Sequence, residues 1–405
     1  MRTYSWSTCC ALTSIAIALV GCEFPQSTSP VAADSGFTGH VEALSALDLG
    51  EPFPRLRSDE LARFEAGKDE FDEVETVEEG LGPVFNEAAC STCHTNPIGG
   101  SNGRLETRFG KLGADGVFDP MATLGGSLLQ DHGIPGYNAE VVPTDATVTA
   151  GRITTQLFGL GLVDAVPDEE LLHLARIQAV NTPQTAGTAN IVLELRSGLM
   201  RVGRFGWKAQ VPTLFQFSGD AYLNEMGITN PEFPAENCPQ GDCASLVYNP
   251  VPGLNNDGDG VAAFNDFMTL LAPPSRGAIS AQVVTGSLVF DRIGCGSCHT
   301  PVLATGPNPV KAVSQKLFHP YSDFLLHDMG SLGDGIVQGG ATGGQMRTAP
   351  LWGVRTRAVL LHDGRATTIQ DAIAAHDGQG RLARDRFLGL SATARTALIA
   401  FVRSL

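Results

Sequence analysis

Apolar residues recur at helical spacing in several separated stretches, and these predict the elements of the chain. An acidic segment from Ser58 to Glu79 favours helix, with Leu61, Phe64 and Phe71 as its inward residues. Pro167-Asp168 opens a second helix, with acids near the positive end of its dipole. His173 lies inside it among Leu171, Leu172, Leu174 and Ile177, which suits a packed or partly exposed histidine better than a ligand. Phe264, Phe267, Met268 and Leu271 form an i, i+3, i+4, i+7 stripe. Ser280 to Arg292 reads as a further helix. Thr368, with Asp371 three residues on, predicts a capped start to a helix that carries Ile369, Ile373 and His376 on one face. Ser391 caps a last helix with the stripe Ala394, Leu398, Phe401 and Leu405.

Between these helices the chain is rich in turn formers. Its 405 residues include 47 glycines, well above the usual share of about 7%. The expected fold is therefore mainly α and loop-rich, with long connections and close backbone approaches in place of packed sheets. Ala272-Pro-Pro274 breaks the chain and divides it into residues 55–274 and 275–405. A faint internal repeat spans that break: Trp207 to Leu214, with Pro212-Thr-Leu214, matches the layout of Met346 to Leu351, with Pro350-Leu351.

The N-terminal pattern differs. Arg2 and the apolar run Ala11 to Val20 form a processing signal over residues 1–21, too short to cross a bilayer that takes about 20 residues. It ends in Leu19-Val20-Gly21-Cys22, like the lipobox of a bacterial lipoprotein, which would make Cys22 an acylated first residue on the periplasmic side of a membrane. An ordinary signal peptide ending near a cysteine is the other reading. Residues 22–54, rich in Ser, Pro, Gly and Ala, read as a tether. A formal charge of -16 argues against a nucleic-acid surface, since phosphate binding relies on clustered Lys and Arg, and suits a basic protein partner better.

Two short stretches change the picture most. Cys90-Ser-Thr-Cys93-His94 and Cys295-Gly-Ser-Cys298-His299 are Cys-x-x-Cys-His runs. In c-type haem attachment the two thiols form thioethers to the vinyl groups and the imidazole is the proximal iron ligand, so two runs imply two covalently bound haems. Zinc pairs normally stand about 15–20 residues apart, and a redox dithiol needs no following histidine. Of the remaining cysteines, Cys238 and Cys243 lie in a short turn-forming loop in an oxidising compartment, which predicts a local disulfide. His376, sharing a buried apolar face, needs a partner, and a haem iron across a pocket supplies one. His362, in a His-Asp-Gly turn, is read as standing behind that shell. Arg347 and Arg365 are candidates to pair with haem propionates, because guanidinium binds carboxylate in a two-pronged fork. Asn255, Asp257, Asp259 and Gly260 are placed like the start of a calcium loop, with Asp266 in the twelfth position where Glu is usual; an Asx-rich turn capping the next helix is the competing reading.

These motifs lie in a chain that resembles the di-haem oxidoreductases related to bacterial di-haem cytochrome c peroxidases and MauG-type enzymes. The resemblance is carried by Gly80 to Asn86, Gly203 to Lys208, Leu223 to Pro231, Tyr321 to Met329 and His362 to Thr368, and it covers the chain from about Phe53 onwards. It implies two cytochrome c-like haem domains in tandem. The first, held by Cys90, Cys93 and His94, would be catalytic and bind peroxide; the second, held by Cys295, Cys298 and His299, would transfer electrons. His376 stands where the peroxidases often have Met, which keeps the transfer role and lowers the expected potential. Glu225 loosely resembles the family's catalytic glutamate, His132 is a rival as base or distal ligand, and Met226 would close the site if it bound iron. A small periplasmic donor, a cytochrome c or cupredoxin, would supply electrons. Dimerisation is common among the peroxidases, but no feature of this sequence demonstrates it. A MauG-like oxidase of a partner protein or organic substrate, and a di-haem electron carrier, are the alternatives.

Overall fold

The computed structural model describes residues 49–405. The signal at 1–21, Cys22 and most of the 22–54 tether lie outside the described residues. Among those described, no helix is long and apolar enough to cross a membrane.

The elements run in order as α1 Ser58–Asp72, β1 Val84–Phe85, α2 Cys90–Cys93, β2 Leu105–Leu112, β3 Phe118–Asp119, β4 His132–Gly133 and β5 Val148–Ile153. Then come α3 Leu160–Asp164, α4 Asp168–Asn181, β6 Ile191–Glu194, β7 Leu199–Val202, α5 Leu214–Met226 and α6 Asp259–Leu270. The second half continues with α7 Ala281–Ile293, β8 Leu303–Ala304, β9 Leu317–Phe318, β10 Leu326–Asp328, β11 Gln345–Arg347, α8 Ile369–Ala374, α9 Arg381–Leu388 and α10 Ala392–Arg403. The architecture is helical with several small sheets.

Two helix pairs share one design. α1 packs on α6 and α7 packs on α10. At each crossing stands a helical glycine: a Cβ on Gly67 would run into the Ala263 carbonyl, and one on Gly286 into the Ala397 carbonyl. The residue four positions on from that carbonyl is a buried Phe both times, Phe267 at 0% and Phe401 at 2% exposure. A glycine costs a helix interior about 0.5–1 kcal/mol relative to alanine, and here it admits a backbone approach that no other residue allows. The expected stripes Phe264, Phe267, Met268, Leu271 and Leu398, Phe401, Leu405 are buried. The Ser280 and Ser391 hydroxyls accept from Val283 and Ala394 as N-caps. Leu61 departs from expectation: 42% exposed, it faces solvent while Phe64 and Phe71 take the core.

One apolar core joins α1, α5 and α6 and also takes Leu303, Phe318, Phe324 and Trp352 from the second half; the other gathers α7, α8 and α10. The halves are thus interleaved. Strands supply what the glycine-rich reading omitted. β2 pairs antiparallel with β5 in the register Leu105↔Ile153 to Gly110↔Val148, and with β3, so a sheet follows the first motif where long connections were expected. Cys238 and Cys243 are disulfide-bonded as expected. The Asn256, Asp257 and Asp259 side chains accept from the main chain of Gly258, Asp259 and Gly260, as in a turn that caps α6, and Asp266 pairs with Arg63 on α1 at 2.8 Å.

Candidate active site: two cavities around the Cys-x-x-Cys-His runs

Each Cys-x-x-Cys-His run opens on its own cavity. The first holds about 1360 Å³ of empty space and the second about 1310 Å³, open solvent included. The four cysteines are free thiols.

In the first cavity, Cys90 and Cys93 form the short helix α2, and His94 follows at its C-terminal end. His94 Nδ1 is a buried atom with no hydrogen-bond partner, and burial pushes the imidazole down to about 4. Phe71 lies 5.8 Å from its ring, centroid to centroid, and the Met226 sulfur lies 3.8 Å from Cys90 Sγ. The β2–β5 sheet forms one wall, with Glu106, Arg108, Arg152 and Ile153, and the C-terminal half of α5 brings Asp220, Tyr222 and Glu225 to the same space. Glu225 accepts from Asn86 Nδ2 at 2.8 Å. Burial, then the neighbouring Glu106 charge, pushes the Glu225 carboxyl up to about 8. Glu106 goes the other way: Arg108 grips it through Nε at 2.9 Å and Nη2 at 3.2 Å, and this outweighs burial to hold it below the usual carboxylate range. The two carboxyls also hydrogen-bond to each other. Such a pair holds one proton between two sites.

His132 is not part of this cavity. Its pairing with Phe85 across β1 and β4 turns the side chain outwards, where it is half-exposed, stacked on Phe85 and bonded to Asp131. His94 is the sole imidazole lining the first cavity among the described residues.

The second cavity has two facing imidazoles. α7 delivers the motif, with Gly294 as its left-handed C-cap. His299 Nδ1 bonds to the Tyr321 carbonyl at 2.9 Å and His376 Nδ1 to the Ala372 carbonyl at 2.8 Å. Their ring centroids stand 6.4 Å apart. An imidazole nitrogen lies about 1.1 Å from its centroid and binds a metal at about 2.0–2.1 Å, so this spacing is one at which both imidazoles would reach a single ion. Tying Nδ1 to a carbonyl is the usual way of aiming Nε2 at a metal. Burial pushes His299 down to about 4 and lowers His376. The helix expected to carry His376 stops at Ala374, two residues short; Thr368 caps it as expected, accepting from Asp371 N. His327 also lines this cavity, 3.4 Å from Cys298 Sγ and 3.0 Å from Asp323.

Arg347 is buried, with carbonyl partners only, Gly206 at 2.7 Å and Thr348 at 3.1 Å. Arg357, which the sequence did not flag, bonds Gln156 Oε1 and the Pro350 carbonyl, each at 3.1 Å. Burial pushes both guanidiniums down to about 10, and their mutual repulsion adds to this at Arg347. Both line the second cavity and a smaller one beside it. Two walled-in cations that hydrogen-bond to no carboxylate, with Asp323 acting on Arg347 only at longer range, suit an anionic group. Arg365 does not join them: it is exposed and held by Asp363, outside the lining. His362 is buried 6.1 Å from the Trp207 ring, and it lines the second cavity directly.

The two cavities meet at the internal repeat. Arg347 N donates to the Trp207 carbonyl at 2.9 Å. Trp207, whose indole N–H bonds the Ile153 carbonyl at 2.9 Å, lines both cavities and the smaller one between. Behind it Asp334 is buried against Arg152 at 2.7 Å and Lys208 at 2.8 Å, tying the second half to the first.

Residues 137–405 match the family described as "Di-haem oxidoreductase, putative peroxidase". The chain belongs to the di-haem oxidoreductase family. No curated protein matches this di-haem oxidoreductase. Among solved structures it is similar to a MauG-like protein associated with microbial copper homeostasis, with 15% identity over 87% of this chain and 92% of that one and a TM-score of 0.40. It is also similar to a variant of the diheme peroxidase BthA from Burkholderia thailandensis, at 14% identity, 86% of each chain and 0.38. A third similarity is to hydrazine synthase from Kuenenia stuttgartiensis, at 13% identity, 98% of this chain and 100% of that one, and 0.39. A di-haem family and this donor set agree: free cysteine pairs each followed by a buried histidine, a second histidine opposite one of them, and buried guanidiniums suited to an anion all fit haem.

Proposed function

We propose that a covalently bound haem c occupies each cavity, and that the chain reduces peroxide at the first with electrons entering through the second. The observation that carries this is the asymmetry of the cavities: two imidazoles 6.4 Å apart in one, and in the other a single imidazole in a cavity that Glu225 and Glu106 also line. When bound, haem would supply electron storage at both sites and, at the first, the iron at which peroxide would be reduced.

The remaining work falls to side chains. Cys90, Cys93 and His94 would hold the first haem; Cys295, Cys298, His299 and His376 would hold the second, with Arg347 and Arg357 against its propionates. Cleaving an O–O bond needs a proton moved from one oxygen to the other. Glu225, kept protonated near neutral pH, gives that proton, and the Glu106–Glu225 pair takes one back. Asn86 holds the Glu225 carboxyl in place, and Arg108 keeps Glu106 ionised so that the shared proton stays on Glu225. Trp207 provides an aromatic bridge between the cavities. A periplasmic setting with lipid at Cys22, and a small cytochrome or cupredoxin as donor, complete the reading; they rest on the sequence.

The test is an EPR and optical spectrum of the oxidised and half-reduced protein, with and without peroxide. A high-spin component that responds to peroxide beside a low-spin one that does not is the expected result. Two low-spin signals unmoved by peroxide in every redox state would leave an electron carrier.

A further inference from the structure

Four tyrosines lie in the described part of the chain, and they are not alike. Tyr248 is 79% exposed. Tyr137 gives its hydroxyl to the Ser245 carbonyl, which takes no proton. Tyr321 packs on Phe290 and Phe401 in the second core. Tyr222, 3% exposed, lines the first cavity and donates its hydroxyl to Glu75 Oε1 at 2.5 Å. Among the described residues it is the tyrosine bonded to a carboxylate.

Its placement has three further features. On α5 it lies one turn before Met226, whose sulfur touches Cys90 Sγ, so the phenol stands beside the attachment point of the first motif. Its ring packs edge-on against Phe264 at 4.9 Å; Phe264 meets Phe71 at 6.1 Å, and Phe71 meets His94, a continuous aromatic run. Glu75 is half-buried and belongs to the segment between α1 and α2, with exposed Glu73 and Glu79 on either side, so its outer edge reaches water. Burial raises its affinity for a proton against the opposing effect of the Tyr222 hydrogen bond, and the repulsion of Glu79 and Glu73 adds to the rise.

We propose that Tyr222 is a redox-active residue that passes one electron to the first site and its phenolic proton to Glu75. This rests on the peroxide reading above and deepens it, by storing an oxidising equivalent on the protein. The balance is simple. The Oη–H bond of Tyr222 breaks; the proton forms an O–H bond at Glu75 Oε1; the electron fills the deficit that peroxide leaves at the first haem; a neutral phenoxyl radical remains. Return of an electron from a one-electron donor at the surface, a phenol or an aromatic side chain of a partner, takes the proton back from Glu75. Without a carboxylate in place the phenol would have to lose an electron while keeping its proton in a dry site, which would leave an unpaired buried cation.

The experiment uses the full di-haem protein, rapidly frozen after mixing with hydrogen peroxide. An organic-radical EPR signal that narrows when the tyrosines are ring-deuterated, disappears in Tyr222→Phe and is strongly diminished in Glu75→Gln is expected. Retained haem spectra would show that each variant is folded. A haem that reacts with peroxide while no organic radical forms overturns the proposal, as does a signal that survives Tyr222→Phe or follows deuterated tryptophan instead. If peroxide leaves the haem spectra unchanged, the peroxide reading has failed by itself. Flash oxidation of the same protein by photogenerated ruthenium(III) tris-bipyridine then decides: a radical at Tyr222 that Glu75→Gln suppresses upholds the proposal, and any other site overturns it.

Discussion

The two cavities are nearly the same size, and both depend on helices that cross at a glycine beside a buried phenylalanine. Their walls differ. Opposite chemistry comes from opposite kinds of wall. The second is closed by the turn after α8, which sets the His376 ring 6.4 Å from the His299 ring, centroid to centroid. The first is closed by a sheet and the C-terminal half of α5, which bring carboxyls beside guanidiniums, with burial pushing Glu225 and Asp220 towards their protonated forms. The helix crossings thus provide two equivalent frames, and a few residues outside those frames decide what each can do.

The largest expected effect is at the closed site. His376→Ala removes one of two facing imidazoles, and the low-spin EPR signal of the second haem should convert completely to high spin. His376→Met should keep it low spin and raise its potential, as thioether ligation does. A low-spin signal that survives His376→Ala would break the comparison.

Next is the open site. Glu225→Gln should lower peroxide turnover by about 10²–10⁴-fold, the usual contribution of a positioned acid or base, and leave the second haem's spectrum unchanged. The pH profile carries the sign. A carboxyl raised to about 8 is protonated below that value, so turnover should fall as pH rises through about 8, and Glu225→Gln should remove that limb. The same raised value means that its contribution to stability is full below the usual carboxylate range and is lost as pH rises through about 8.

Between the sites, Asp334→Ala would strand Arg152 and Lys208 without their counter-ion. Breaking a buried pair costs about 3–5 kcal/mol, read as a lowered midpoint in urea, and both haem spectra should shift because Arg152 lines one cavity and Trp207 is sequence neighbour to Lys208. The smallest effect belongs to Arg365. Being exposed and paired only with Asp363, its change to Ala should alter stability by less than about 0.5 kcal/mol. Arg347→Ala should by contrast weaken haem retention at the second site, measured by haem content per protein.

The sequence made the motifs and most helices legible because both follow local rules. A Cys-x-x-Cys-His run has fixed spacing, and stripes such as Phe264, Phe267, Met268 and Leu271 follow the helical period. It concealed whatever depends on pairing between distant segments. Gly67 and Gly286 look like interruptions until the crossing helix is in place. β2 carries Leu105, Glu106, Thr107 and Arg108, whose mixed polarity serves a cavity and not an alternating strand. Glu106 and Arg108 therefore escaped notice, though a charged pair two residues apart, soon after a haem motif, was a signal. His132 and Arg365 were plausible by type and failed by direction, since each points to solvent. Arg357 had no local signature; its isolation from any carboxylate exists only in three dimensions.

Trp207 belongs to both cavity walls and to the space between them. That shared membership limits how the protein can be altered. A substitution at Glu225 or His376 retunes one site and leaves the other as it was, so the two can drift separately under selection or be redesigned one at a time. No change of volume at Trp207 has that freedom, because it reshapes both rooms at once. The position acts as a common hinge pin for variation: improvements at one site that need a different residue there are open only when the other tolerates it.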